Sequence, residues 1–106
     1  MDVKPLFIPL KTEFYEEFEN GRKDTEYRVF GPRWNFDTCK EGRRVVLSHG
    51  YGKRRRMSGT IVRFSRCFAP DGLPGWVECY GERSGKTAAL ITIKLDKPKD
   101  SGTGAG

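Results

Sequence analysis

The chain has 106 residues, 36% of them hydrophobic, which suits one small domain and is too little for a large multidomain enzyme. Twenty lysines and arginines against fourteen aspartates and glutamates leave a formal net charge of +6. Polyanions are therefore attracted, nucleic acid being the commonest and an anionic membrane surface a rarer one.

No apolar run approaches the roughly 18 to 20 residues that cross a bilayer, so no membrane role is expected. The opening MDVKPLFIPLK is interrupted by Pro5 and Pro9 and has no small-residue cleavage site, unlike an export signal. Cys39, Cys67 and Cys79 are odd in number and widely spaced, against both a disulfide framework and a zinc site. Each reads as a small buried hydrophobe of a reducing, cytoplasmic protein.

Leu6 to Leu10 reads as a first strand. Thr12 offers a side-chain oxygen to cap a helix over Glu13 to Asn20, and Phe14 and Phe18 share one face beside Tyr15. Glu13, Glu16 and Glu17 suit the positive end of the helix dipole, and Gly21 supplies a left-handed stop. Thr25 to Phe30 then alternates as a strand, with Glu26, Arg28 and Phe30 on one face and Thr25, Tyr27 and Val29 on the other.

GPRW breaks that strand at Gly31, and a loop runs to Gly42. Arg43 to His49 is the next strand and Met57 to Phe68 a longer one, joined by the glycine-punctuated basic hairpin tip HGYGKRRR. Ala69 to Gly75 is turn-rich, and Trp76 to Tyr80 is too short to assign between a strand and one helical turn. Ala88 to Leu95 alternates as a half-buried strand. Residues 1–96 form the domain, and residues 97–106, which hold no large apolar side chain, are expected to be a flexible tail.

One early helix and about five short strands predict an α+β, mainly β fold: a small barrel with the N-terminal helix at its edge. The stretch GRKDTEYR, Gly21 to Arg28, sets Lys23, Glu26 and Arg28 at fixed spacing just after the helix. Three charged groups brought near one point are a candidate site. Glu26 and Arg28, two apart on a strand, are equally consistent with an ordinary surface ion pair.

From Leu6 to Leu95 the order of elements and this motif resemble the ASCH domain, a branch of the PUA-like β-barrel superfamily. GRKDTEYR carries its GxKxxExR pattern, KEGRRVVL resembles the turn and strand that follow, and PGWVECYG before AALITIKL resembles the closing segment. The resemblance implies a cleft between helix and barrel, lined by Lys23, Glu26 and Arg28, that takes RNA, single-stranded nucleic acid or a modified nucleotide. Residue chemistry points the same way, since lysine and arginine meet phosphates, a carboxylate accepts from base amino groups and aromatics stack on bases.

Arg22 and Arg33 add cations nearby, and Trp34 is read either as a stacking residue or as an aromatic closing the barrel. The tip, Tyr51, Lys53, Arg54, Arg55 and Arg56, is read as an auxiliary backbone contact, or else as a solvated turn that discourages aggregation. Some ASCH-like proteins are amidohydrolases of acylated cytidine, in which the GxK lysine is the base. That implies Lys23 as base here, but those enzymes carry threonine at the position of Glu26 and a second carboxylate on an inserted helical segment.

RNA cleavage by Lys23 and Glu26 is a related alternative, and a protein-interaction module a third. GERSGKT has three residues between its glycines where a phosphate-binding loop needs four. His49, the one histidine, assembles no catalytic triad, because its neighbour Ser48 faces the opposite way on a strand. No cofactor and no metal are implied, and a monomer is expected.

Overall fold

A computed structural model describes residues 4–52, 54–68, 70–73, 76–81 and 86–96. The tail assigned to residues 97–106 and the tip residue Lys53 lie outside these. Five strands, β1 (Leu6–Leu10), β2 (Thr25–Val29), β3 (Arg44–His49), β4 (Arg56–Cys67) and β5 (Ala88–Leu95), form one sheet in the order β1-β3-β4-β5-β2. β1 runs parallel to β3, and every other neighbouring pair is antiparallel. The sheet curls into a half-barrel whose two edges, β1 and β2, share no ladder.

Helix α1 (Thr12–Glu19) follows β1, and α2 (Trp76–Tyr80) precedes β5. The predicted α+β, mainly β architecture is therefore the observed one, and Trp76 to Tyr80 settles as a short helix. Alternation along the strands explains the core. Ile8 and Leu10, Val45 and Leu47, Ile61 and Phe64, and Ile91 and Ile93 turn inward, joined by Tyr15 and Phe18 from α1 and by Trp34 and Cys39 from the loop after β2. Each such side chain contributes about 1.5–3 kcal/mol by leaving water.

Two local expectations change. Thr12 does not cap α1: it is the first helical residue, Lys11 is the N-cap without a side-chain bond, and the Thr12 hydroxyl instead shares a 2.7 Å hydrogen bond with His49 Nε2. His49 also meets the Tyr15 ring edge-on at 5.7 Å, so the histidine pins α1 to the end of β3.

β4 also ends one residue early, at Cys67, and carries a bulge between Ile61 and Arg63. The extra residue, Val62, is thrown outward to 47% exposure, while Phe64 returns to the inner face opposite Ile91. Phe68, predicted to close the strand, is 71% exposed.

Gly59 sits where β4 crosses closest to β5. A Cβ there would lie 2.7 Å from the Lys94 carbonyl oxygen and 2.9 Å from Ile93 Cγ2, and the first of these is backbone that cannot swing aside. Gly59→Ala is expected to lower the unfolding free energy by about 1–3 kcal/mol in urea titrations. Parental stability in that variant would mean the two strands do not approach this closely.

Candidate functional site

Lys23 is placed by the way α1 ends. Gly21 takes a φ of 82°, a left-handed turn that side chains disfavour, and the backbone N–H groups of Arg22 and Lys23 both donate to the Glu17 carbonyl, at 2.9 and 3.1 Å. The chain thereby folds back along the helix. Lys23 Nζ comes to lie 5.1 Å from the centre of the Phe14 ring, 5.9 Å from Phe18 and 4.7 Å from Tyr27, within cation–π range of all three.

Glu26 and Arg28 are placed by strand register. Glu26 stands opposite Ile91 and Arg28 opposite Ala89, both buried residues, so the two charged side chains share the inner face of β2. Arg28 Nε donates to Glu26 Oε2 at 2.7 Å, and Lys23 Nζ lies 3.9 Å from Glu26 Oε1. The pair expected as one alternative is therefore real, yet it is not solvated decoration, since the Glu26 side chain is 8% exposed and that of Arg28 20%.

Arg28 Nη2 donates to the Pro9 carbonyl at 2.6 Å, reaching from β2 to the opposite sheet edge, and its guanidinium lies 4.9 Å from the centre of the Trp34 ring. Burial raises the Glu26 carboxyl above its ordinary value and outweighs the attraction of Arg28 and Lys23. Burial, aided by Asp24 and Glu26, likewise pushes up the Tyr27 phenol.

A cleft of about 220 Å³ opens at this seam. Pro9, Leu10 and Lys11 from the end of β1 form one wall, Lys23, Glu26, Tyr27 and Arg28 another, and Phe14, Trp76, Cys79 and Tyr80 complete it from the two helices. The Tyr80 hydroxyl donates to the Tyr27 carbonyl at 3.0 Å and docks α2 beside β2, while the Trp76 and Tyr80 rings pack 4.3 Å apart. The volume falls below the range of about 300–1,000 Å³ typical of drug-sized ligands. It suits one planar ring with aromatic walls and a cation and a carboxyl at its edge.

The remaining candidate residues lie elsewhere. Arg22 is exposed and outside the cleft wall, and Arg33 is exposed with its guanidinium 5.3 Å from the Trp34 ring centre. Trp34 itself is 8% exposed and belongs to the core, so of its two readings the barrel-closing one describes its position. At the tip, Tyr51 is 83% exposed and Arg54 is exposed. Arg55 donates to Glu19 Oε1 at 2.7 Å, and Arg56 lies 5.2 Å from the Phe7 ring centre. The tip is thus tied to α1 and β1 and supplies no wall of the cleft.

Sequence reasoning passed over Pro9, Phe14, Trp76 and Tyr80. Phe14 was placed only by the helix face it shares with Phe18, and the spacing of Trp76 and Tyr80, one helical turn apart, became meaningful only with α2 in place. Of the cysteines, Cys39 is buried, with burial raising its thiol, but Cys67 is only half-buried and Cys79 is exposed at the cleft wall. The side chain of Glu78, the residue before it, lies outside those described.

Among the described residues no group of three His, Cys, Asp or Glu side chains is placed to hold a metal, and no helix is long and apolar enough to cross a membrane. No protein-family model matches the chain, and no curated protein matches it.

The raised Glu26 value has a consequence for stability. The folded protein holds the Glu26 proton more tightly than the unfolded chain, so this contribution is complete below the ordinary value of 4.5 and is lost as pH rises through the folded value. The stability of the parent relative to Glu26→Gln is therefore expected to fall as pH rises from 4.5 toward neutrality, measured by urea unfolding at each pH. A constant difference over that interval would show that the carboxyl titrates normally.

Proposed function

We propose that the protein is a small ASCH-type, PUA-like module that binds RNA or single-stranded nucleic acid, or a modified nucleotide, by taking one base into the seam cleft. The observation that carries this reading is the convergence of Lys23 and Glu26 on one aromatic-walled cleft of about 220 Å³, with Arg28 fixing the carboxyl from behind. A base would lie against the rings of Tyr27, Phe14 or Tyr80. The Glu26 carboxyl would meet its amino or imino edge, and Lys23 a carbonyl or phosphate oxygen.

Arg22, Arg33, Tyr51 and Arg54, all exposed, supply sequence-independent attraction to the backbone. Arg55 and Arg56 contribute less, because Glu19 and the Phe7 ring already engage them. Three cysteines without a disulfide fit a monomer working in a reducing cytoplasm.

Calorimetric titration with nucleosides, short RNA and short single-stranded DNA at several salt concentrations tests the reading. Lys23→Ala is expected to weaken binding of every ligand about tenfold or more, the worth of one charge-assisted hydrogen bond. Arg54→Ala is expected to leave nucleoside affinity alone and to lower the salt slope for single strands by about 0.7. No saturable binding to any of these ligands at low salt would sink the reading.

A hydrolytic reading rests on one further observation: Lys23 Nζ lies 3.9 Å from a carboxyl whose proton affinity is raised, close enough for a proton to pass if the two draw together or a water bridges them. Glu26 is the only carboxylate among the described residues of the cleft wall. Incubation with an N4-acylated cytidine decides it. Release of cytidine that disappears in Lys23→Ala would establish hydrolysis, and unchanged substrate would remove it.

A further inference from the structure

Away from the cleft, three phenylalanines gather round one arginine where β2 and β4 end and β5 begins. The Arg66 guanidinium lies 5.4, 5.2 and 5.1 Å from the ring centres of Phe30, Phe36 and Phe68. Phe36 meets Phe64 edge-on at 4.8 Å, and Phe64 carries the cluster into the core. At the outer side the rings are open to water: Phe36 is 50% exposed and Phe68 71%.

The turn that carries Phe36 is tied down by hydrogen bonds. The Asn35 side chain donates to the Gly31 carbonyl at 2.9 Å and accepts from the Asp37 and Thr38 backbone N–H groups at 2.8 and 3.0 Å, locking the turn that presents Phe36. Register also ties the patch to the cleft. Arg66 stands opposite Ala89, which stands opposite Arg28, so the patch lies on the same rung as the seam arginine, two strands or about 10 Å away.

We infer that this patch is a stacking platform for bases flanking the one held in the cleft, so that the protein takes its target base from within a single strand rather than as a free nucleotide. The inference rests on the base-binding reading of the cleft. Exposed aromatic faces beside a cation are what sequence-tolerant single-strand binders use, since every base offers a π-face and the strand a phosphate.

The local charge selects this occupant over an apolar protein surface. In the segments that carry the patch, residues 30–37, 64–68 and 86–88, the cations Arg33, Arg66 and Lys86 stand against Asp37 alone. Phe68, the most exposed of the rings, packs on Arg66 and outside the core cluster, so its removal leaves the fold in place.

Binding of an eight-nucleotide single strand and of a single nucleoside, compared across variants, tests the inference. Phe68→Ala and Arg66→Ala are each expected to weaken the oligonucleotide about tenfold or more while leaving the nucleoside unchanged, and Lys23→Ala to weaken both. Phe68→Trp is expected to keep oligonucleotide affinity and to show a loss of indole fluorescence with oligonucleotide beyond that of the parent, whose Trp76 at the cleft wall sets the background.

Parental oligonucleotide affinity in Phe68→Ala and Arg66→Ala, with nucleoside binding still sensitive to Lys23→Ala, overturns the platform and leaves the cleft. Oligonucleotide binding that needs Phe68 but ignores Lys23 keeps the platform and overturns the cleft. No binding of either ligand overturns both. A parent that sediments as a dimer and becomes monomeric in Phe68→Ala, with oligonucleotide affinity intact, assigns the patch to self-association instead.

Discussion

One guanidinium holds together two strand edges that never pair. Arg28 donates one N–H to Glu26 on its own strand and another to the Pro9 carbonyl across the seam, and its plane lies over Trp34. Pro9 fits the other side of this contact, because an edge strand tolerates a residue without an N–H and leaves its carbonyl available. Arginine supplies donors in two fixed directions at once, which a lysine cannot. Without this partner the buried Glu26 carboxyl would keep only Lys23, 3.9 Å away, and would hold its proton more tightly still.

Because a side chain closes the seam where a ladder would otherwise run, space remains between the edges. That space is the cleft. The same contact therefore sets the half-barrel's width and turns Glu26 toward the cleft, with one carboxyl oxygen taken by Arg28 and the other facing Lys23. Lys23 arrives independently, by the left-handed Gly21 and the double capture of the Glu17 carbonyl. Four residues of GRKDTEYR thus do separable jobs: a turn, a cation, a carboxyl and a brace.

Much of the fold was legible because it follows from short-range pattern. Alternation located β2 and β5, apolar runs and a glycine-punctuated hairpin tip located β1, β3 and β4, and a glycine after an amphipathic run located the end of α1. Features that depend on a distant partner were not legible. Thr12 looks like a cap until His49, far along the chain, takes its hydroxyl. Val62 reads only as one apolar residue of a long strand until a bulge opposite β5 turns it outward. Trp34 could be assigned two ways because nothing nearby in sequence announces the guanidinium above it. At the site, the charged side chains were readable from the motif, but the walls supplied by Pro9, Phe14, Trp76 and Tyr80 come from elements brought together only by the curl of the sheet.

Net charge is the feature whose meaning changes most once the cations are placed. Arg43 donates to the carbonyls of Thr38 and Lys4, Arg44 pairs with Asp96, Arg55 with Glu19, and Arg28 closes the seam. These arginines fasten loops and edges, so the excess of basic residues is partly an inventory of structural ties. In the proposed binding, a polyanion would meet the cations not spent in this way, and those worth most would be the ones held beside aromatic faces, where a phosphate and a base could be engaged together. Lys23 against Tyr27 and Arg66 against Phe68 both have that form, one at the rim of a cavity and the other on open surface. The difference in enclosure separates a site that can select a single ring from one that can only stack its neighbours.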